Sequence, residues 1–343
     1  MSALHDDGAD SEVARKKSMV SARGGVAARA VAHAKGLWPR RVWLPFVPFV
    51  YCTTMSLLGF FRWEYIIVAG SCLVLAFATA RTRDFLLDVS PYVLFAITYD
   101  FVKYVIDATI TPNRVITCGL RNLELALFQV SPGVTPQDYF RVHPNVVVDV
   151  ICALPYAVFF AVVFIYAGYL FRVDRPRMRL FLWSFAIANL IAFACWVLIP
   201  AAPPWYVHEH GCVADLATKP SPAGLLRVDQ LIGIPYFQGF YARASQVFGA
   251  VPSMHCACPM LGLLTAYKVV RWRTRTIHIL YVVTMFFASV YLDHHWIVDG
   301  LLGWVLALVS VFIAQRMFAY LGWETSAATS PRSAESKESI LAV

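Results

Sequence analysis

Apolar residues run through this chain in long blocks, and the polar residues gather between them. Eight blocks approach the roughly 20 residues that a helix needs to cross hydrocarbon. They cover about 43–60, 65–80, 85–107, 146–170, 180–200, 252–270, 276–292 and 297–317, the first two being the shortest. A helix satisfies its own backbone in lipid, so the pattern predicts an all-α polytopic membrane protein. No internal repeat is visible. The blocks divide the chain into a basic N-terminal segment (1–42), two flanking spans (43–84), a core of six spans (85–322) and a polar tail (323–343).

Composition agrees. The chain is 59% hydrophobic and 15% charged, against about 25% charged in soluble domains, and its mean hydropathy is +0.60. The net charge of +8 does not point to nucleic acid, because the basic residues sit between the apolar blocks. Placing the N-terminal segment, with Arg15, Lys16, Lys17 and Arg23 among its cations, on the inner side puts every compact basic loop there too: Arg81–Arg83, Arg172–Arg179 and Lys268–Arg275. This obeys the positive-inside bias with both termini inside. The loops at about 108–145 and 201–251 then lie outside, and their prolines, including Pro132, Pro136, Pro203 and Pro204, argue against further spans. Residues 1–24 and the Ser, Ala and Glu-rich end read as disordered. Val26 to Lys35 reads as a short basic surface helix. No signal peptide is seen. Of eight cysteines, six fall in or near apolar blocks, while Cys118 and Cys212 share the outer side and admit a disulfide in an oxidising compartment.

The candidate chemistry lies at that outer boundary. Val251-Pro252-Ser253-Met254-His255 opens the sixth span, and Tyr291-Leu292-Asp293-His294-His295-Trp296-Ile297-Val298-Asp299 joins the seventh to the eighth. Helical spacing puts His295 and Asp299 on one face. The carboxylate then fixes the imidazole tautomer and leaves the other nitrogen as a nucleophile. This division of labour suits cleavage of a phosphate ester: His295 attacks, Asp299 orients it, and His255 is general acid and then base. His294 is the weaker nucleophile, because Asp299 is off its helical face.

Pro252-Ser253-Met254-His255 resembles the second signature of the type 2 phosphatidic acid phosphatase superfamily, and His295 followed by Asp299 resembles its third. The nearer likeness is to its inositol phosphorylceramide synthase (aureobasidin-type) branch. It is carried by Ala202-Pro203-Pro204-Trp205-Tyr206, Phe248 through His255, the doubled His294-His295 before Trp296 and Asp299, and more weakly by Asp149 with Pro155-Tyr156. The likeness covers about residues 145–315. It implies a phosphotransferase with phosphatidylinositol or a related phospholipid as donor, ceramide or another lipid alcohol as acceptor, and diacylglycerol as product. It implies no cofactor and no metal.

The first signature, a Lys followed by Arg-Pro, is missing: Arg175-Pro176 falls on the inner side. The Ser-Arg pair expected before the last histidine is replaced by Ala288-Ser289-Val290. A phosphodiester carries one charge and needs fewer cations than a phosphomonoester, so the losses favour a phosphodiester donor. Lys103 and Arg243 are candidate substitutes. Lys103 has a second reading as an ion pair with Asp100 inside the third span.

Ser253, His294, Asp149 and Tyr206 complete the candidate substrate contacts. His294 reads equally as an exposed turn residue, Asp149 as merely interfacial, and Trp205 with Tyr206 as an aromatic belt or a lid over the headgroup. His208, Glu209 and His210 form a weak metal pattern on a loop. Two other functions stay open: a lipid phosphatase in which water replaces the alcohol, and a lipid-transport protein that keeps the fold without the reaction. The residue bias suits a bacterial inner membrane with a periplasmic site, and a Golgi membrane with a lumenal site is the alternative.

Overall fold

The computed structural model describes residues 28–39, 41–59, 61, 63–242 and 246–325, with Asp100 given by its backbone alone. Most of both polar termini, and Arg243, lie outside the described residues. The described chain is helical. Its helices are α1 (28–37), α2 (Val47–Leu57), α3 (Trp63–Ala78), α4 (Ala80–Thr109), α5 (Cys118–Phe128), α6 (Pro136–Val142), α7 (Val146–Ala157), α8 (Phe159–Val173), α9 (Arg175–Leu198), α10 (Pro204–His210), α11 (Leu226–Ile232), α12 (Tyr236–Tyr241), α13 (Met254–Ala266), α14 (Trp272–Tyr291) and α15 (Ile297–Leu321).

Among the described residues, α4, α9 and α15 are long and apolar enough to cross a bilayer, and α7 with α8 makes a fourth span if the bent pair is counted as one. The apolar blocks at the start of the chain and at 252–270 form shorter helices. This is an integral membrane protein. The loop at 108–145 carries α5 and α6, which are 11 and 7 residues long and too short to span.

The chain divides into two compact units, Met1–Ser90 and Pro91–Val343, with the division inside α4. In the first, the end of α1 is fastened to α3 where Trp38 Nε1 donates to the Ala76 carbonyl at 3.0 Å. Arg83 also donates to the Leu37 carbonyl at 2.8 Å. The second unit is built on α13, which packs against α15, α14 and α9. Two buried polar groups of α9 are satisfied along their own helix: Ser184 donates to Leu180 O and Asn189 to Phe185 O. That is how a polar side chain is tolerated among apolar neighbours.

The break between α7 and α8 bends the chain by 51°. Pro155 lies inside α7 just before it, where a proline removes a helix hydrogen bond. The rings of Tyr156 and Phe159, on either side of the break, both lie against His255.

Candidate active site

Two glycines let α13 and α15 approach. A Cβ on Gly303 would overlap the Ser253 carbonyl oxygen, and one on Gly300 would meet the Phe286 ring at 2.7 Å. Ser253 stands at the N-terminus of α13, where its hydroxyl accepts from Cys256 N at 3.3 Å. Its own amide donates to the Asp299 carbonyl at 3.0 Å, which links the two helix starts directly. His255 is thereby carried to the first turn of α15.

The segment before α15 is held by backbone. The amides of His294 and His295 both donate to Ser289 O at 3.0 Å, and Asp293 between the turns takes a left-handed φ of 67°. The loops around 116, 201 and 249 are knitted by short backbone bridges. The 201–251 segment grips the turn at three points. Trp296 Nε1 donates to Ala202 O at 3.1 Å, Trp205 N to Asp293 O at 3.1 Å, and Gly224 N to Leu292 O at 3.0 Å. A disulfide between Cys118 and Cys212 ties two of the loops together.

In this frame His255 Nδ1 and His295 Nε2 share a hydrogen bond at 3.0 Å, and His295 Nδ1 bonds Asp299 Oδ2 at 3.2 Å. Both His295 and Asp299 are buried. Burial pushes the His295 imidazole down to about 3, with the Ala250 backbone acting weakly the other way. His295 is thus a neutral ring near neutral pH. With Asp299 accepting from Nδ1–H, its lone pair is on Nε2, facing His255.

A scan against protein families matches residues 122–313 to the PAP2 superfamily. A phosphoinositol dihydroceramide synthase from Bacteroides thetaiotaomicron is 34% identical over 255 residues, 72% of this chain and 82% of that protein. This chain belongs to the PAP2 superfamily. The catalytic subunit of inositol phosphorylceramide synthase from Saccharomyces cerevisiae is 29% identical over 72% of this chain and 61% of its own length. The Candida albicans inositol phosphorylceramide synthase is 32% identical over 48% of this chain and 36% of its own length. No solved structure matches the chain. The protein is an enzyme, a membrane-embedded lipid phosphotransferase of the PAP2 superfamily.

Around the histidines this PAP2 enzyme places residues that no sequence pattern singled out. Glu124, fully buried on α5, accepts from Ile297 N at 2.8 Å and from Val298 N at 3.3 Å, the first free amides of α15. Gln137 of α6 donates to Glu124 at 2.9 Å and to the His295 carbonyl at 3.2 Å. A second network flanks the turn. His208 lies between two carboxylates, 2.8 Å from Asp138 Oδ1 and 2.9 Å from Asp293 Oδ2. Arg121 pairs with Asp138 at 2.7 Å and Arg141 with Asp293 at 3.1 Å. Burial alone would raise the Asp138 carboxyl, but the Arg121 and Thr135 hydrogen bonds outweigh it and hold it well below the usual carboxylate range. His208 is therefore a link between carboxylates rather than part of a trio with Glu209 and His210.

The other expected contacts divide. His294 is buried, not exposed on the turn, and sits between aromatic rings close to His255. Asp149 is buried and gripped by Arg227, whose Nε and Nη2 reach its two oxygens at 2.6–3.1 Å. Tyr206 is completely buried; its hydroxyl donates to Val213 O at 3.0 Å and accepts from Asp215 N at 2.6 Å. Trp205 is buried with it, so neither forms an interfacial belt, and the Tyr206 hydroxyl fastens the loop below. Lys103 is half exposed and pairs with Asp107 at 3.3 Å, one turn along α4, while the side chain of Asp100 lies outside the described residues. Ser253 caps its helix and points no polar atom to solvent.

Glu124 and Gln137 left no readable trace because their partners on α15 are more than 150 positions away, and Tyr156 was marked only by the weak likeness it shares with Asp149 and Pro155. Only Gly300 and Gly303, three apart on α15, carried a local signal of close packing.

Proposed function

We propose that this enzyme moves a phospho-alcohol headgroup, inositol phosphate from phosphatidylinositol, onto the hydroxyl of ceramide. The observation that carries the reading is the chain of contacts from Asp299 through His295 to His255. In the first half-reaction His295 Nε2 attacks phosphorus. The bond from phosphorus to the diacylglycerol oxygen breaks, and His255 as imidazolium protonates that oxygen. In the second, neutral His255 takes the proton of the ceramide hydroxyl as its oxygen attacks the phospho-histidine. The nitrogen–phosphorus bond breaks, and both histidines return to their starting states. The arriving phosphodiester anion favours the imidazolium form of His255.

In-line transfer needs a nucleophile about 3 Å from phosphorus and an acid about 3 Å from the leaving oxygen, so the reacting nitrogens stand on the order of 6–7 Å apart in the complex. The 3.0 Å hydrogen bond between His255 and His295 describes the resting pair. The substrate phosphate enters by replacing it.

Several features support a phosphodiester donor. Arg121, Arg141 and Arg227 are each matched to a carboxylate. An open groove lined by Phe140, Phe286, Phe287, Ile297 and Trp304 runs beside the start of α15 and suits an alkyl chain. The relatives' names join a phosphoinositol group to dihydroceramide or ceramide. The site faces the outer side of its membrane, the periplasm in a bacterium or the lumen in a Golgi membrane.

The deciding experiment gives purified enzyme labelled phosphatidylinositol, with and without ceramide. Ceramide-dependent formation of inositol phosphorylceramide with equal diacylglycerol release is expected. Inositol phosphate released at the same rate without ceramide would make the enzyme a phosphatase.

A further inference from the structure

Three aromatic rings stack beside the histidine pair. His294 lies between Tyr156 of α7, at 5.0 Å and 24°, and Tyr241 at the end of α12, at 4.9 Å and 16°. Tyr156 also lies 4.5 Å from the His255 ring. Each member of the stack carries a buried polar atom with no hydrogen-bond partner: Tyr156 Oη, Tyr241 Oη and His294 Nε2. The two phenols are close enough to interact electrostatically. A buried polar atom without a partner destabilises a fold, and native proteins hold few of them. Three in one stack, contributed by three separate segments and adjoining the reacting nitrogens, fit a place whose partners arrive with the substrate.

We propose that Tyr156, Tyr241 and His294 form an uncharged clamp for the phospho-alcohol headgroup of the donor lipid. The proposal rests on the phosphotransfer reading above and names the part of the site that holds the headgroup. The two phenolic hydroxyls donate to phosphoryl oxygens. His294 does the reverse. We assign the hydrogen of the neutral ring to Nδ1, which leaves the lone pair on the unpartnered Nε2. A lone pair facing the headgroup repels a phosphoryl oxygen and accepts from a hydroxyl. Two donors and one acceptor therefore complement a polyol phosphodiester. A bare phosphomonoester or a choline phosphate has no hydroxyl of an alcohol to offer His294. A clamp without formal charge also suits a monoanion, which two full cations would hold too tightly to release after transfer.

The test uses detergent-purified enzyme without acceptor, with phosphatidylinositol and phosphatidylcholine as probes and melting temperature as the first readout. Tyr156→Phe and Tyr241→Phe remove only the hydroxyls, and His294→Phe keeps the stack but removes the acceptor nitrogen. The lipid-free Tyr→Phe variants are expected to melt at or above the wild type, because an unsatisfied buried hydroxyl is gone. Their stabilisation by phosphatidylinositol shrinks, and the donor KM in the transfer assay rises roughly 10- to 100-fold with kcat changed much less. His294→Phe is expected to erase the preference for phosphatidylinositol over phosphatidylcholine. A lipid-free Tyr→Phe variant melting several degrees lower would assign the hydroxyls to the fold and overturn the clamp. So would a phosphatidylinositol shift that survives in all three variants, or a wild type that neither lipid stabilises. An enzyme that binds phosphatidylinositol through these residues but transfers nothing to ceramide would remove the proposed reaction and leave the clamp.

Discussion

The carboxylate of Glu124 caps Ile297 N at 2.8 Å, although 173 positions separate the two residues. The contact joins a loop helix to the helix that carries Asp299. An anion at a helix N-terminus satisfies free amides and meets the positive end of the dipole. Glu124→Ala leaves two amides and Gln137 without that acceptor, and we expect a loss of about 1–3 kcal/mol. Glu124→Gln keeps an acceptor oxygen and loses less. Thermal melts of the purified variants check the order. An alanine variant as stable as the wild type would deny the cap any weight.

Gly303 sets the distance between the catalytic helices. A methyl group there meets the Ser253 carbonyl oxygen, which is backbone and cannot turn aside. Gly303→Ala is expected to destabilise by about 1–3 kcal/mol. It also pushes His255 away from His295, so transfer falls by more than about tenfold. Measuring kcat well below the variant's melting temperature separates the two effects.

Asp299 holds the proton of His295 on Nδ1. Asp299→Asn offers an amide that can donate to Nδ1 and so moves the ring hydrogen to Nε2, where the nucleophilic lone pair is needed. A loss of about 10²–10⁴ in kcat follows, by the logic of the serine-protease triad. In the proposed mechanism His295→Ala removes the nucleophile, so no labelled phospho-enzyme is expected. A rapid-quench search for acid-labile, base-stable label on wild type and on His295→Ala settles the covalent step. Label trapped equally on both would exclude His295.

Stability depends on pH through the buried imidazoles. Burial lowers His295 to about 3 and His294 well below its ordinary value, with His255 and His295 adding to the His294 shift. The unfolded chain, with histidines near 6.5, then binds more protons than the folded one at mildly acid pH. The stabilisation is complete above about pH 6.5 and declines as pH falls toward 3. The melting temperature should drop steadily from pH 7 to pH 4. Replacing His294 and His295 with Gln should flatten that slope relative to the wild type. An unchanged slope would mean that these rings are not buried as neutral groups.

The apolar blocks and the spacing of His295 and Asp299 were legible in the sequence because each is local. A long hydrophobic run forms its helix wherever it goes, and residues four apart on a helix share a face. The signatures around His255 and His294-His295 pointed to the superfamily for the same reason, as continuous strings.

The rest was set by contacts between distant segments. Glu124 and Gln137 reach α15 from the loop before α7, and Tyr156 meets His255 because the chain bends after Pro155. Tyr206 read equally as an aromatic-belt residue and as part of a lid, and nothing local showed that its hydroxyl bonds the backbone at Val213 and Asp215. The sequence alone determined where the long apolar runs lie and that His295 and Asp299 share a helical face. Only the tertiary structure decided which polar atoms are satisfied within the chain and which are left for a substrate, because hydrogen-bond partners depend on distances between segments that no local pattern records.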